Sequence, residues 1–452
     1  MHDIVIIGGG PGGYVAAIRA AQRGANVALV EKDKLGGVCL HRGCVPSKTL
    51  LHAADLLLGV REAKRLGVEV AEPKVLFDKV MARKEKVVGR LHKGIQALLK
   101  ARKVEVIAAE ADLIGANRVK AGGREIEAKN IIIAVGSSPV VLPIPGADDA
   151  CVITSDDALF LDAVPDSLAI IGGGAIGVEM ACLFAAMGTK TTVLELEDRL
   201  VPLMDPGLSA GLEKMLKKQG VRVATSARVA AIEKGTVRYV HGEKAAQLPA
   251  SKVLMAVGRR SNAHALSLDA VGIRHGKGVI ETDDHMRTSV PNIYAIGDVN
   301  GKWMLAHVAS KEGLVAVENI MGGDARISYA AVPQCVYTIP EELASVGLSE
   351  PQAKEQTAEA KVATFPLLAN GKALATGRSS GFAKLITAPD GEILGAHLMG
   401  PHATDMIATM GVAMTAELTP TEIGEAIFPH PTVSEALQEA AHAIEGAPIH
   451  GM

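Results

Sequence analysis

Two glycine turns of one pattern, placed far apart, constrain this 452-residue chain more than any other feature. The opening stretch DIVIIGGGPGGYVAAIRAAQRGANVALVEK reads as strand, turn, helix and strand, with Gly8, Gly10 and Gly13 spaced G-x-G-x-x-G. Ile4 to Ile7 make a short buried-looking strand, Val15, Ile18 and Ala21 keep helical spacing, and Gly24 can end the helix. A second copy, SLAIIGGGAIGVEMACLFAAMGTKTTVLELED, carries Gly172, Gly174 and Gly177. An acid closes the second strand of each copy, Glu31 and Glu195, each 23 positions after the first glycine. The glycines permit a tight turn and let backbone N–H groups at a helix start approach a pyrophosphate, while the acid suits a ribose hydroxyl. One such fingerprint is weak evidence; two in the same strand–helix context predict two Rossmann-like dinucleotide-binding folds. Two dinucleotides in one chain suit a flavin, FAD, paired with a nicotinamide. A carboxylate at Glu195 would repel a 2′-phosphate, which points to NAD over NADP; the next arginine, Arg199, lies four positions on.

The first fold does not finish before the second begins. KNIIIAVGSSP (129–139), with Gly136 and Ser137, and SKVLMAVGRRSN (251–262), with Gly258, each read as a strand returning to a cofactor edge. TSVPNIYAIGDV (288–299) is a further strand, ending near Asp298, whose acid can reach a cofactor hydroxyl. The expected architecture is α/β: a first dinucleotide domain in residues 1–148, a second inserted as 149–265, the first resuming in 266–331, and a C-terminal α+β interface unit in 332–452. In that last unit a hairpin is expected at Pro389-Asp390-Gly391, with helices near 402–417 and 434–445.

Composition narrows the function classes. A net charge of −3 argues against nucleic acid or an anionic membrane as the main partner. The basic clusters ARKEK (82–86) and KMLKK (214–218) read as solvated helix faces. No apolar run approaches the ~18 residues of a membrane span. The N-terminus lacks a basic segment and reads as a strand, so the expected compartment is reducing cytoplasm. Five cysteines in a chain this long make no disulfide framework.

Two of them nevertheless share GGVCLHRGCVPSKTLL, as Cys39 and Cys44. On an ideal helix such positions stand roughly 8.7 Å apart between Cα atoms, whereas a disulfide needs less than about 7 Å. A bridge therefore demands a broken turn or a loop-to-helix junction, for which Gly36, Gly37, Gly43 and Pro46 are suited. A metal would need further ligands, and only His41 and His52 are near; an inert pair is the third reading. Cys151, Cys182 and Cys335 stand alone and read as small buried hydrophobes. Far downstream, His430 is framed by Pro429 and Pro431, which keep it off a regular helix. Thr432 or Ser434 can cap the helix that follows, and Glu435 in its first turn can bond one ring nitrogen and stabilise the imidazolium, leaving a base suited to thiol chemistry. His402 and His442 read as surface or packing residues.

With GGVCLHRGCVPSK, GGGAIGVE, NIYAIGDV, MLAHVASKEG and HPTVSE assembled, the chain resembles the flavin-dependent pyridine nucleotide–disulfide oxidoreductases over nearly its whole length. Within them it is most similar to the dihydrolipoyl dehydrogenase branch. Glutathione reductases typically have Lys-Lys after the proline, where this chain has Ser47-Lys48. Mercuric reductases typically end in a cysteine pair, where this chain ends PIHGM. Three details depart from the branch: His41-Arg42 replaces the usual Asn and small apolar residue, Phe428 stands where a second histidine is common, and YTIPEELASVGL is one residue longer.

The resemblance implies oxidation of protein-bound dihydrolipoamide with NAD through a Cys39–Cys44 disulfide and FAD. It makes Cys39 the interchange thiol, Cys44 the thiol facing the flavin, and His430 with Glu435 the base. It places Lys48 by the flavin, paired with Glu179, and adds Ala111, Met304, Leu305, Ala306 and His307 to the FAD site and Val229 to the NAD site. It implies a homodimer in which the base reaches the other subunit's disulfide, and a lipoyl domain of an acyltransferase or H-protein as the carrier. The alternative is a glutathione-, mycothione- or mercuric-reductase-like enzyme.

Overall fold

The run Ile4–Ile7 offers no polar residue to either face of a sheet, and it is buried on both. It forms the centre of strand β1 (His2–Ile7). In the computed structural model, which describes residues 1–451, the chain divides into two units. The first holds residues 1–49, 81–140 and 258–328; the second holds 50–80, 141–257 and the described residues from Tyr329 onward.

In the first unit β1 leads to helix α1 (Pro11–Gln22) and β2 (Val27–Glu31). Two helices around the cysteines follow, α2 (Gly37–Arg42) and α3 (Cys44–Glu62), then the long α4 (Phe77–Ala101); α3 from Leu50 and α4 before Met81 are counted with the second unit. Strand β3 (Glu105–Ala108) joins β2 so that β3, β2 and β1 run parallel. β4 (Ala111–Gly115), β5 (Arg118–Ala121) and the first half of β6 (Arg124–Ile133) form an antiparallel meander, and the second half of β6 pairs in parallel with β1. Alternate residues of β1 serve two cores. Ile4 and Ile6 pack with Ala16 and Ala20 of α1, while Val5 and Ile7 pack with Leu113, Val119 and Ile126 of the meander. A short β7 (Ser137–Pro139) ends this stretch.

The second unit repeats the plan. β8 (Val152–Thr154) and α5 (Ser155–Ala158) precede β9 (Ser167–Ile171), α6 (Ala175–Ala186), β10 (Lys190–Leu194), α7 (Pro206–Lys218) and β11 (Arg222–Ala224). β12 (Ala227–Glu233), β13 (Thr236–His241) and β14 (Lys244–Pro249) are a second meander. With β15 (Lys252–Met255) a parallel sheet forms in the order β11-β10-β9-β15-β8.

The chain then returns to the first unit. β16 (Arg259–Ser261) pairs with β7, α8 (Leu268–Val271) and the small pair β17 (His275–Gly276) and β18 (Val279–Ile280) follow, and β19 (Ile293–Ala295) adds to β6 in parallel. Helix α9 (Ala306–Ile320) lies along α1. A Cβ at Gly313 would stand 2.8 Å from the Gly12 carbonyl oxygen, so only a glycine permits this approach.

From β20 (Gln334–Val336) the second unit builds an antiparallel sheet. β21 (Glu342–Gly347), α10 (Glu350–Gln356), β22 (Lys361–Pro366), α11 (Gly371–Ala375), β23 (Phe382–Thr387) and β24 (Ile393–Gly400) give the order β20-β21-β24-β23-β22. The expected hairpin at Pro389–Gly391 joins β23 to β24. Helices α12 (Ala403–Thr415), α13 (Pro420–Glu425) and α14 (Glu435–Ile444) follow. Ile407 and Met410 of α12 and Ala436 and Leu437 of α14 share a core with Ala344, Leu385 and Leu398 of the strands.

Two sequence expectations need correction. Lys84, read as part of a solvated face, is 1% exposed, and its Nζ stands 3.0 Å from Glu85 Oε1. Charge patterning alone cannot distinguish an outward lysine from one whose aliphatic stem packs inside. Of the solitary cysteines, only Cys182 is buried; Cys151 and Cys335 are partly exposed. Among the described residues, no helix is long and apolar enough to cross a membrane.

A buried charge cluster ties α7 to the C-terminal sheet inside the second unit. Asp205, fully buried, caps α7 through Gly207 N–H (2.9 Å), accepts Glu350 N–H (3.0 Å) and pairs with Lys384 Nζ (2.9 Å). Burial pushes the Asp205 carboxyl up, but Lys384 and the Glu350 N–H outweigh it and leave it below the usual carboxylate range. The cluster therefore supplies stability above that range and loses it as pH falls through the depressed value. Lys384→Met leaves a buried carboxylate without its cation and should cost about 3–5 kcal/mol, measured by urea unfolding at neutral pH.

Candidate functional site

Both fingerprint turns are built by the same steric logic. A Cβ at Gly8 would stand 2.2 Å from the Ala134 carbonyl oxygen, and one at Gly172 2.3 Å from that of Ala256. A Cβ at Gly13 would meet Gly8 O at 1.8 Å, and one at Gly177 would meet Gly172 O at 2.0 Å. Gly10 and Gly174 are different: each is the extended N-cap of its helix, has no side-chain cap, and faces open space where a Cβ would meet nothing within 4 Å. The bare N–H groups of α1 and α6 thus open onto room for a pyrophosphate, which is the fit a dinucleotide requires.

The acids repeat as well. Glu31 accepts Gly9 N–H (2.6 Å) and Asp33 N–H (2.8 Å); Glu195 accepts Gly173 N–H and Glu197 N–H (2.8 Å). Each acid's own carbonyl accepts an N–H two residues before a predicted site residue: Ala109 N–H bonds Glu31 O (3.0 Å) ahead of Ala111, and Ala227 N–H bonds Glu195 O (2.8 Å) ahead of Val229. Ala111 and Val229 are therefore equivalent positions in the two folds.

Around the first turn the structure brings several predicted residues together. Asp298, just beyond β19, accepts the Ser137 hydroxyl, and Gly136 takes a positive φ of 70° over open space. Sequence reasoning missed Arg259, whose guanidinium donates to Ser137 Oγ and O, both at 2.8 Å. It also missed Glu312, a fully buried carboxylate accepting Gly297 N–H and Asn300 Nδ2 (3.1 Å). Both lie within stretches the sequence singles out, SKVLMAVGRRSN and MLAHVASKEG, but only the folded chain shows which groups they bond. Helix α9 starts without a side-chain cap after Met304 and Leu305, at Ala306 and His307. Its Ser310 hydroxyl donates to Pro11 O (3.4 Å), so α1 and α9 present their N-termini at the same end. In the second unit Glu179 is buried on α6, and its Oε1 accepts Tyr337 N–H (3.0 Å). Gly258 follows β15 with a φ of 114°.

Cys39 and Cys44 form a disulfide with Cα atoms 4.7 Å apart. Helix α2 stops at Arg42, Gly43 breaks the chain at φ −150° and ψ −112°, and α3 starts at Cys44. That is the broken turn, here between two helices, that a bridge at this spacing demands. A Cβ at Gly43 would come within 3.1 Å of Val38 O and 3.4 Å of Cys39 Cα, so a larger residue would crowd the junction. The same loop is pinned to the nucleotide turn: Gly36 N–H donates to Gly9 O (2.8 Å), and a Cβ at Gly37 would stand 2.7 Å from Gly10 Cα. Lys48 follows Cys44 by one turn on α3 and is half-buried.

His430 lies outside any helix and is well exposed. Its Nδ1 bonds Glu435 Oε1 (2.9 Å), and Glu435 Oε2 accepts Thr432 N–H (2.7 Å). Burial works to raise the Glu435 carboxyl, but the Thr432 N–H and His430 hold it below its usual value. The carboxylate fixes the proton on Nδ1 and leaves Nε2 as the basic atom. The expected cap is corrected: Ser434 takes the N-cap position without a side-chain bond to the helix, and its hydroxyl donates to Thr432 Oγ1 (3.1 Å) instead. Phe428 packs against the C-terminal core. Among the described residues no group of three or more His, Cys, Asp or Glu is placed to hold a metal ion.

Residues 2–313 match the family described as pyridine nucleotide-disulphide oxidoreductase, and residues 332–441 match its dimerisation domain. The chain belongs to this family of FAD- and NAD-using redox enzymes. It is 42% identical to a dihydrolipoyl dehydrogenase of Bacillus subtilis over an alignment 470 positions long, gaps included, with 99% of each chain covered. The structure is similar to that of LpdA from Mycobacterium tuberculosis, with a TM-score of 0.90, 30% identity and coverage of 98% and 99%. It is also similar to that of the HOCl-induced flavoprotein disulfide reductase RclA from Escherichia coli, with a TM-score of 0.87, 30% identity and coverage of 97% and 99%.

Proposed function

We propose that this chain is a dihydrolipoyl dehydrogenase that oxidises protein-bound dihydrolipoamide with NAD⁺. The observation that carries the reading is the Cys39–Cys44 disulfide, held by Gly36 and Gly37 against the first nucleotide turn. FAD and NAD, when bound, supply the hydride chemistry that carries the electron pair away from the thiols and returns the disulfide. The first turn, with Glu31, Lys48, Ala111, Gly136, Ser137, Asp298 and residues 304–307, holds FAD. The second turn, with Glu179, Glu195, Val229 and Gly258, holds NAD.

The rest belongs to the chain's own side chains. His430 Nε2 takes a proton from one substrate thiol. The resulting thiolate attacks Cys39 Sγ, the Cys39–Cys44 bond breaks, and Cys44 leaves as a thiolate. The second substrate thiol then attacks the mixed disulfide. Cys39 is released as a thiol or thiolate, and the substrate closes to its cyclic disulfide. Two electrons have passed to the cysteine pair, and Glu435 stabilises the imidazolium. His430 acts on the disulfide of the other protomer in a homodimer formed through the 332–452 unit. The domain division is 1–148 and 266–331 for FAD and 149–265 for NAD. The carrier is a lipoyl domain of an acyltransferase or an H-protein, and the compartment is the cytoplasm.

Glu195 sets the choice of nicotinamide. A hydrogen bond to a charged group is worth about 1.5–3 kcal/mol, so Glu195→Ala should raise the KM for NAD⁺ about ten- to hundredfold and narrow its advantage over NADP⁺, read by steady-state kinetics. The reading itself is tested by a panel of dihydrolipoamide, glutathione and mycothiol in reduced and oxidised forms. Turnover confined to the lipoamide pair supports it; turnover of another disulfide with none of lipoamide assigns the chain to the reductase branch.

A further inference from the structure

The redox helix α2 is six residues long, too short to persist by itself, and it is bounded by Gly36 and Gly43. The disulfide joins it to α3, and that covalent link disappears each time the pair accepts two electrons and two protons to become two thiols. Something else must then keep Cys39 opposite Cys44. The ion pair Arg42–Asp33 (2.8 Å) lies in solvent and is screened. His41 is better placed. Its Nε2 bonds the Leu35 carbonyl oxygen at 2.9 Å, and Nδ1 of His92, on α4, bonds the same oxygen at 2.9 Å. The two rings meet edge to face, with centroids 5.1 Å apart and planes at 70°. A carbonyl only accepts, so both rings donate: the proton sits on Nε2 of His41 and on Nδ1 of His92.

We infer that His41, Leu35 O and His92 form a clamp that fixes α2 against α4 while the disulfide is open, which makes His41 a positioning residue for Cys39. The inference rests on reading Cys39–Cys44 as the redox pair. Burial pushes the His41 imidazole down, the Leu35 carbonyl opposes, and His92 and Lys34 push it down further against Asp33. The net direction keeps His41 neutral at neutral pH, so His41 adds no charge beside the thiols.

A clamp of this kind raises the effective concentration of one thiol at the other, and so favours the disulfide. Its strength is read by equilibrating the full-length holoenzyme with a dithiol redox buffer and counting alkylated cysteines. His41→Leu should shift the Cys39/Cys44 couple toward the dithiol by about tenfold, ~30 mV for this two-electron couple. His41→Gln, which retains a donor, should stay within about threefold of wild type. Because both rings share one acceptor, adding His92→Leu to His41→Leu should move the couple no further. A His41→Leu couple equal to wild type overturns the clamp, as does a His41→Gln couple as displaced as His41→Leu, or additive effects of the two leucines. A wild-type pair that takes up no electrons overturns the redox reading itself, and the clamp with it.

Discussion

Cys44→Ser abolishes NAD⁺-dependent oxidation of dihydrolipoamide, lowering turnover by about 10⁴-fold or more, the scale seen when a nucleophile acting as part of a unit is removed. The loss follows from where Cys44 stands. It is the first residue of α3, across the Gly43 break from Cys39, with 4.7 Å between the Cα atoms. The substrate thiolate can displace only a sulfur leaving group, and a serine hydroxyl offers no S–S bond to break. In the variant Cys39 remains as a lone thiol that can trap an added disulfide substrate once and go no further. The measurement is steady-state turnover together with mass spectrometry of the variant treated with lipoamide. A mixed disulfide on Cys39 without turnover is expected. Retention of more than a few per cent of the activity would mean that electrons bypass the pair.

His430→Gln has the second-largest expected effect, about 10²–10⁴-fold on the step that takes electrons from the dithiol. Glutamine keeps a polar side chain of similar reach but cannot accept a proton near neutral pH. The Glu435 carboxylate, held low by the Thr432 N–H and the histidine, would lose its ring partner but keep its backbone donor. Rapid mixing with dihydrolipoamide should show the slow dithiol step, while mixing of prereduced enzyme with NAD⁺ should show a rate close to wild type. Equal slowing of both steps would show that His430 holds the fold together and is no base.

Much of this was legible in the sequence because the physics behind it is local. A Cβ at Gly13 or Gly177 would overlap the carbonyl oxygen of the turn's own first glycine, so the fingerprint declares its turn wherever the chain goes. A disulfide between Cys39 and Cys44 rules out a continuous helix, because on one their Cα atoms would stand roughly 8.7 Å apart, and the break falls at Gly43. The proline pair around His430 keeps it out of a helix, as found. What remained hidden depends on distant chain. The burial of Lys84 is set by tertiary packing that a run of charges does not reveal. Arg259 reaches Ser137 because β16 pairs with β7, a contact across 122 positions. The position of β8 at the edge of the second sheet, ahead of its fingerprint strand in sequence, leaves no periodic trace in three residues. His41 and His92 are 51 positions apart, and only the folded chain shows that they share one oxygen. The cap expected of Thr432 or Ser434 gives way to a pair of local bonds, Thr432 N–H to Glu435 and the Ser434 hydroxyl to Thr432 Oγ1, whose choice the residue types alone do not decide.

The central claim is that the Cys39–Cys44 pair carries electrons from dihydrolipoamide to NAD⁺. The most direct test is oxidation of dihydrolipoamide by the purified FAD-loaded protein, followed as NADH formation, with NADP⁺ as the control acceptor. Turnover with NAD⁺ and at least about tenfold less with NADP⁺ is the predicted result. No NADH from dihydrolipoamide, in a preparation that reduces a different disulfide at the expense of NADH or NADPH, would contradict it.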